Sequence, residues 1–222
     1  MSRTLITGGG TGLGAAIARE LAGVGHDLVL VGRREEPLRS LAEELGAAWQ
    51  IADITTGAQG LIERCGPLTH LVNNAGHAHT GAVEDWSAED LRALLEVHVV
   101  APAMLARAWA AQAPQGGCAL NISSTLATRS APGLGLYAAA KAALSSLTRT
   151  LALELAPRCR ANALRVGVVP TEMTQGRDLA ALAALHPLGL GAPEDVGAAA
   201  RFLLESRWIT GVELPVDGGL LL

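Results

Sequence analysis

Thr7-Gly8-Gly9-Gly10-Thr11-Gly12-Leu13-Gly14 is the stretch that decides the fold of this 222-residue chain. A strand-like run, residues 4–7, leads into it, and an alanine-rich helical pattern, residues 12–24, leaves it. Glycines at such a junction let the backbone approach a pyrophosphate, and a helix N-terminus offers free N–H groups at the positive end of the dipole. The spacing is TGxxxGxG rather than GxGxxG. A glycine-rich turn can also be no more than a tight strand–helix connection. Its place at the first strand-to-helix turn of an alternating chain selects dinucleotide binding.

Working outward, strand-like runs recur at residues 27–31, 47–51, 70–73, 118–122, 160–164 and 213–216. Helical patterns lie between them, at residues 35–45, 88–111, 137–156 and 193–205. Ser87 with Asp90 resembles a capping box, Pro37 and Pro193 suit first turns, and Pro157 stops a helix. Alternating strands and helices imply an α/β fold with a parallel sheet covered on both faces. No internal repeat, low-complexity tract or linker interrupts the pattern, so residues 1–222 read as one domain.

Half of the residues are apolar but only 3% are aromatic, so Ala, Leu and Val must build the core. The net charge is −4, and no basic run is longer than Arg33-Arg34. That balance argues against nucleic acid or an anionic membrane surface as partner. Cys65, Cys118 and Cys159 lie far apart with no metal-ligand spacing, so no metal is expected. They read as small core residues in a reduced, cytoplasmic setting. The chain enters a strand-like run at Arg3 with no charged-then-apolar stretch before it, so no signal peptide is expected. No stretch of about 18 apolar residues is expected to span a bilayer.

The chain holds one tyrosine, Tyr137, four residues before Lys141 in an alanine-rich run without breakers. On a helix this spacing stacks the two side chains on one face. A phenol has a pKa of about 10, and a nearby cation favours the phenolate. Bringing it near neutrality needs roughly 4 kcal/mol of differential interaction. The pair is common by chance on any helix, so its meaning depends on the surrounding motifs.

Those motifs resemble the short-chain dehydrogenase/reductase family almost end to end. They are the TGxxxGxG turn, Asn73-Asn74-Ala75-Gly76 after the fourth strand, Ser124 after the fifth, and Tyr137-x-x-x-Lys141. Ile209-Thr210-Gly211 and Val216-Asp217-Gly218-Gly219 follow near the C-terminus. The resemblance is to the 3-oxoacyl-ACP reductase-like and carbonyl reductase members. It implies a single-domain Rossmann-like doubly wound fold, a seven-stranded parallel sheet of order 3-2-1-4-5-6-7 with helices on both faces. It also implies hydride transfer between NADP(H) and a carbonyl or secondary alcohol. Tyr137 would then be the general acid/base. Lys141 would hold the ribose and lower the tyrosine pKa, and Ser124, thirteen residues before Tyr137, would polarise the substrate carbonyl. The cofactor-binding set implied is Gly8, Gly10, Thr11, Gly12, Leu13, Gly14, Arg33, Asp53, Ile54, Asn74, Ala75, Gly76, Ile122, Tyr137, Lys141, Gly167, Val169 and Thr171. Within it, Asp53 and Ile54 flank the adenine, and Val169 and Thr171 meet the carboxamide and diphosphate.

Cofactor choice follows from the end of the second strand. An acidic residue there would accept from both ribose hydroxyls and repel a 2′-phosphate. Gly32-Arg33-Arg34 instead offers guanidinium groups, which favour a phosphate monoester, so NADPH is expected over NADH with Arg33 as the main discriminator.

Two positions depart from the family pattern. His98 stands where the family usually has an asparagine whose backbone carbonyl holds a water that relays protons to the lysine. Pro102, four residues on, has no N–H to give the His98 carbonyl, so the relay is expected to survive through the backbone. The imidazole itself is expected to titrate or bond locally near neutral pH, and the rival reading makes His98 a neutral, satisfied core histidine with the relay impaired. After the sixth strand, the family's Pro-Gly is Val166-Gly167, which restores an N–H and relaxes the loop.

Residues 172–187 read as a short substrate lid with an apolar helix at 179–185, suited to a small uncharged carbonyl compound or to a neighbouring subunit. Arg129, Arg177, His77 and His79 are candidates for its mouth. Two rival readings remain: a regulatory or catalytically impaired NADPH-binding protein, favoured by His98 and Val166, and an epimerase or dehydratase. The resemblance also implies a homodimer or homotetramer built on the long helices at residues 88–111 and 137–156.

Overall fold

The computed structural model describes residues 2–222. Seven strands form one sheet: β1 (Arg3–Thr7), β2 (Asp27–Gly32), β3 (Ala48–Ile51), β4 (His70–Asn73), β5 (Cys118–Ser124), β6 (Arg160–Val166) and β7 (Glu213–Val216). Every pairing is parallel, and the order is β3-β2-β1-β4-β5-β6-β7, as the resemblance implied. The order reverses between β1 and β4. In open α/β sheets, ligands bind in the crevice beyond the carboxyl ends of strands at such a switch point.

Helices α1 (Gly12–Gly23), α2 (Glu35–Leu45) and α8 (Pro193–Glu205) pack on one face through Ile17, Leu21, Leu38, Leu41, Val196 and Leu203. The opposite face carries α3 (Ala58–Cys65), α5 (Ala101–Ala110) and α6 (Gly135–Leu155) through Leu61, Ile62, Leu105, Trp109 and Leu155. Because aromatics are scarce, one large ring anchors this side. Trp109 is wholly buried and donates its Nε1–H to the Leu68 carbonyl at 3.2 Å, which removes the cost of burying the indole nitrogen.

A buried polar chain fixes α6 against the sheet. Asn73 Nδ2 donates to Asn121 Oδ1 at 2.9 Å, Asn121 Nδ2 donates to Thr148 Oγ1 at 2.8 Å, and Thr148 donates to the Leu144 carbonyl at 2.9 Å. Strands β4 and β5 and helix α6 are thus locked in one register, which sets the height of Tyr137 above the sheet.

The remaining differences from the sequence reading are local. Helix α3 is eight residues long and too brief to show a clear period in the sequence. Strands β5 and β6 run two residues past their expected ends, to Ser124 and Val166. The helix expected at residues 88–111 is α4 (Ala88–Leu95), a π-helical turn (Glu96–Val100) and α5. Ala101 N–H reaches back to the Glu96 carbonyl, and Pro102 gives the next turn no N–H of its own. Ser87 caps α4 by accepting the Asp90 N–H at 3.0 Å.

The composite run Ala88–Ala110 is, by length and composition, long and apolar enough to cross a membrane, which corrects the expectation that no such stretch exists. Its apolar face is spent on the core, since Leu94, Ala101, Leu105, Ala106 and Trp109 are all buried.

Candidate active site

The carboxyl ends of β1, β2, β4, β5 and β6 open into one cleft of about 1340 Å³. At its base lies the glycine-rich turn. Gly8 has φ +63°, and a Cβ there would lie 2.9 Å from Ala75 Cα. A Cβ on Gly14 would lie 2.2 Å from the Gly8 carbonyl oxygen, so α1 can start this close to the turn only with glycine. No side chain caps α1, which leaves its first N–H groups facing the cleft.

Thr7 holds this turn. Its Oγ1 donates to the Val72 carbonyl at 3.3 Å and accepts the N–H groups of Asn74 and Ala75 at 3.0 and 3.1 Å. Asn74 Nδ2 donates to the carbonyls of Thr7 and Gly8 at 2.9 and 3.2 Å. The Asn-Asn-Ala-Gly segment is therefore a clasp on the glycine turn as well as a wall of the cleft.

Nearly all of the predicted site residues reach this cleft. Gly8, Gly10, Thr11, Gly12, Leu13, Arg33, Asp53, Ile54, Asn74, Ala75, Gly76, His98, Ile122, Ser124, Tyr137, Lys141, Gly167, Val169 and Thr171 all line it. Gly14 does not: it is buried beneath the turn, and it acts by fitting there. Of the four candidates for the mouth, Arg177 and His77 line the cleft, while Arg129 and His79 do not. At the adenosine end Asp53 accepts from the Thr55 N–H and hydroxyl at 3.0 and 2.7 Å. These bonds, helped by the charge of Arg33, hold its carboxyl below the usual range.

Tyr137 and Lys141 stack as the helical spacing requires, with Lys141 Nζ 5.6 Å from the phenol centroid. The ammonium donates to the Ile122 carbonyl at 2.7 Å, so Ile122 contributes through its backbone. Burial governs both groups. It pushes the phenol up to about 12, against the charge of Arg177 and the Ser124 hydroxyl, and pushes Lys141 down to about 7. The expected lowering of the phenol is thus reversed here, because desolvation outweighs the charge of Arg177 and the Ser124 hydrogen bond.

The count back to Ser124 is consistent with the geometry. Ser123 is turned into the core, its hydroxyl 3.1 Å from that of Ser145 and 3.4 Å from the Lys141 carbonyl. Ser124 lines the cleft and accepts the Leu126 N–H at 3.1 Å.

His98 sits in the π-helical turn, 1% exposed, with its ring edge-on to Tyr137 at 5.3 Å between centroids. Its Nε2 is 2.7 Å from the His77 carbonyl, which can only accept, so Nε2 carries the proton and Nδ1 is a bare acceptor. That Nδ1 is buried and unpartnered. Burial, reinforced by the charge of Lys141, pushes the imidazole down to about 3. The expectation of titration near neutral pH is therefore corrected, and local bonding is what the ring does. Gly76 makes room for it: a Cβ there would lie 2.2 Å from His98 Cε1.

Val166 continues β6 in register with Ser124 and Val216, so the N–H that proline would lack belongs to a strand. The loop beyond is pinned from the lid. His186 Nδ1 donates to the Leu182 carbonyl at 2.8 Å, and Nε2 accepts the Val168 N–H at 3.2 Å. The lid segment holds a 3₁₀ turn (Glu172–Thr174) and α7 (Leu179–Ala183), shorter than the helix expected at residues 179–185. Asp178 caps α7 by accepting the Ala181 N–H at 3.0 Å.

The sequence reading missed the clasp role of Thr7, the Asn73-Asn121-Thr148 chain and the His186 pin. A threonine directly before the glycines was the one available signal. The others depend on contacts far apart in sequence.

A doubly wound parallel sheet with a glycine cradle at its switch point defines a Rossmann-type dinucleotide-binding fold. Residues 8–221 match the family model described as enoyl-(acyl carrier protein) reductase. Carbonyl reductase family member 4 of Danio rerio is 34% identical, covering 100% of this chain and 99% of that protein. The 3-oxoacyl-[acyl-carrier-protein] reductase of Rattus norvegicus is 31% identical, covering 98% and 97%. Among solved structures, a short-chain dehydrogenase from Burkholderia cenocepacia in complex with NADP superposes with a TM-score of 0.95 at 32% identity, covering 100% and 98%. A blue fluorescent protein from a metagenomic library, in complex with NADPH, gives 0.94 at 33%, with the same coverage. The chain belongs to the short-chain dehydrogenase/reductase family, and it is an oxidoreductase by that membership.

Proposed function

We propose that this protein transfers hydride between NADP(H) and a small carbonyl or secondary-alcohol substrate, with Tyr137 as general acid/base. The observation that carries the reading is the convergence of Ser124, Tyr137 and Lys141 on the wall of the cleft whose base is the glycine cradle. The cradle fits a dinucleotide, because Gly8 and Gly14 leave no room for a Cβ and the turn faces the uncapped start of α1. The neighbours solved with NADPH or NADP support the phosphorylated cofactor, as does Arg33 in a cleft with no acidic residue at the end of β2.

When bound, the nicotinamide supplies the hydride. The protein's own work is proton placement. A phenol raised to about 12 keeps its proton at neutral pH, which suits donation to an alkoxide as a carbonyl is reduced. Ser124 is placed to give that oxygen a hydrogen bond as its charge grows. Lys141, brought down to about 7, can hold or release a proton near neutrality and lies one helical turn from the phenol. The resemblance gives it a second task, holding the nicotinamide ribose. Helix α7 covers the cleft with Ala181 and Leu182, a surface suited to an uncharged substrate.

The test is NADPH oxidation against a panel of ketones, aldehydes and acyl thioesters, with Tyr137→Phe as control. Turnover that Tyr137→Phe abolishes supports the reading. Tight NADPH binding with no turnover on any substrate would support the regulatory rival. An assembly of two or four copies, in the cytoplasm, completes the proposal. A monomeric mass at micromolar concentration would refute the assembly.

A further inference from the structure

Arg34 does not point freely into the cleft. Its Nη2 donates to Glu172 Oε2 at 2.7 Å and to Thr11 Oγ1 at 2.9 Å, and its Nη1 reaches Glu172 Oε1 at 3.4 Å. One guanidinium therefore ties three segments together: the end of β2, the glycine-rich turn and the first residue of the lid. The tie crosses the adenosine end of the cleft, which Arg33, Arg34 and Glu172 all line. Thr171, the residue before Glu172, lies over Gly12, where a Cβ would be 3.6 Å away, so the lid starts directly on the turn.

We infer that Glu172 sets cofactor specificity by competition: its carboxylate holds Arg34, and a ribose 2′-phosphate at the end of β2 takes that guanidinium from it. The inference rests on the NADP(H) reading of the cleft. The exchange is favourable on simple grounds. Both partners are more than half exposed, 59% and 54%, and an ion pair so exposed is weak. A phosphate monoester carries up to two charges and three strong acceptor oxygens, and a guanidinium binds it in the same forked geometry as a carboxylate. A free 2′-hydroxyl, as in NADH, carries no charge and cannot compete. NADPH thus releases the start of the lid from the turn, and NADH leaves it tied.

Titration of the purified full-length protein with NADPH, NADH, adenosine 2′,5′-bisphosphate and AMP tests this. Glu172→Gln is expected to tighten NADPH and the bisphosphate by roughly two- to five-fold, the size a surface ion pair supports, and to leave NADH and AMP unchanged. In an Arg34→Ala background the same substitution is expected to have no effect. Equal tightening of NADPH and NADH, no tightening of either, or an effect that survives Arg34→Ala would overturn the competition. Wild-type protein that binds neither nucleotide, or prefers AMP to the bisphosphate, would overturn the cofactor reading and this inference with it. Glu172 is exposed, and unchanged melting of the variant establishes that the fold is intact.

Discussion

Along the glycine-rich turn and the Tyr137 wall, the constraints are largely buried and lock side chain to backbone. At the mouth, the lid is tied by Arg34 and Glu172, both more than half exposed to water. Thr7, Asn74 and Gly14 leave the base of the cleft one conformation. Solvent and ions compete for the Arg34–Glu172 pair at every moment. The difference separates two tasks. On the proposed reading, placing a proton needs groups held to a few tenths of an ångström, and the packing that holds Tyr137 and Lys141 also displaces their pKa values. Admitting and releasing a nucleotide needs weak, exchangeable contacts. Substitutions at the buried wall should therefore act strongly and on turnover or stability, and those at the mouth modestly and on nucleotide affinity.

The largest expected effect is at Tyr137. Tyr137→Phe keeps the ring against His98 and removes the proton, so kcat should fall about 10²–10⁴-fold with nucleotide binding little changed. Steady-state kinetics alongside nucleotide titration measures both. Retained turnover would break the comparison at its strongest point, because the chain has no other phenol to take over.

Gly14→Ala comes next. Its new methyl would meet the Gly8 carbonyl oxygen at 2.2 Å, backbone that Thr7 and Asn74 hold in place. A loss toward the upper end of ~1–3 kcal/mol is expected, read as a lower Tm and weaker binding of both NADPH and NADH. A variant as stable as wild type would mean the turn is as yielding as the lid.

At the mouth, Arg33→Ala should lower the ratio of NADPH to NADH affinity by about tenfold while leaving Tm unchanged. An unchanged ratio in the two titrations would remove Arg33 as discriminator and leave Arg34 alone with that task.

The same division decides what the sequence made legible. Backbone constraints leave residue-type signatures: glycine where a Cβ has no room, alanine and leucine at helical spacing, proline where a turn must widen. The alternation of strands and helices and the glycine turn could be read from these, while the strand order and the set of residues expected in the cleft came from the resemblance to the family. Side-chain partners across the sheet leave none. Nothing in the spelling of Arg34 and Glu172, 138 residues apart, marks them as a pair. The phenol's pKa was legible in neither cause nor sign: the sequence marks Lys141 as the nearby cation, whereas burial sets the direction, opposed by Arg177 and the Ser124 hydroxyl. His98 was marked by position, and the choice between a titrating ring and a neutral core histidine stayed open for the same reason.

That residue gives the smallest effect at neutral pH and the most discriminating one. An imidazole at about 6.5 in the unfolded chain and about 3 in the fold binds its proton only after unfolding, anywhere between those values. The unfolded state then holds more protons, so stability is unaffected above pH 6.5 and falls as pH drops toward 3, by up to about 1.4 kcal/mol per pH unit. His70, buried and brought down to about 4, adds to the same limb. His98→Asn should flatten part of that acid limb in denaturant melts and leave kcat at pH 7 within a few-fold, since a ring neutral at pH 7 has no charge to lose. If kcat collapses while the fold survives, the bare Nδ1 beside Tyr137 does more than fill space, and the buried wall holds a fourth working residue.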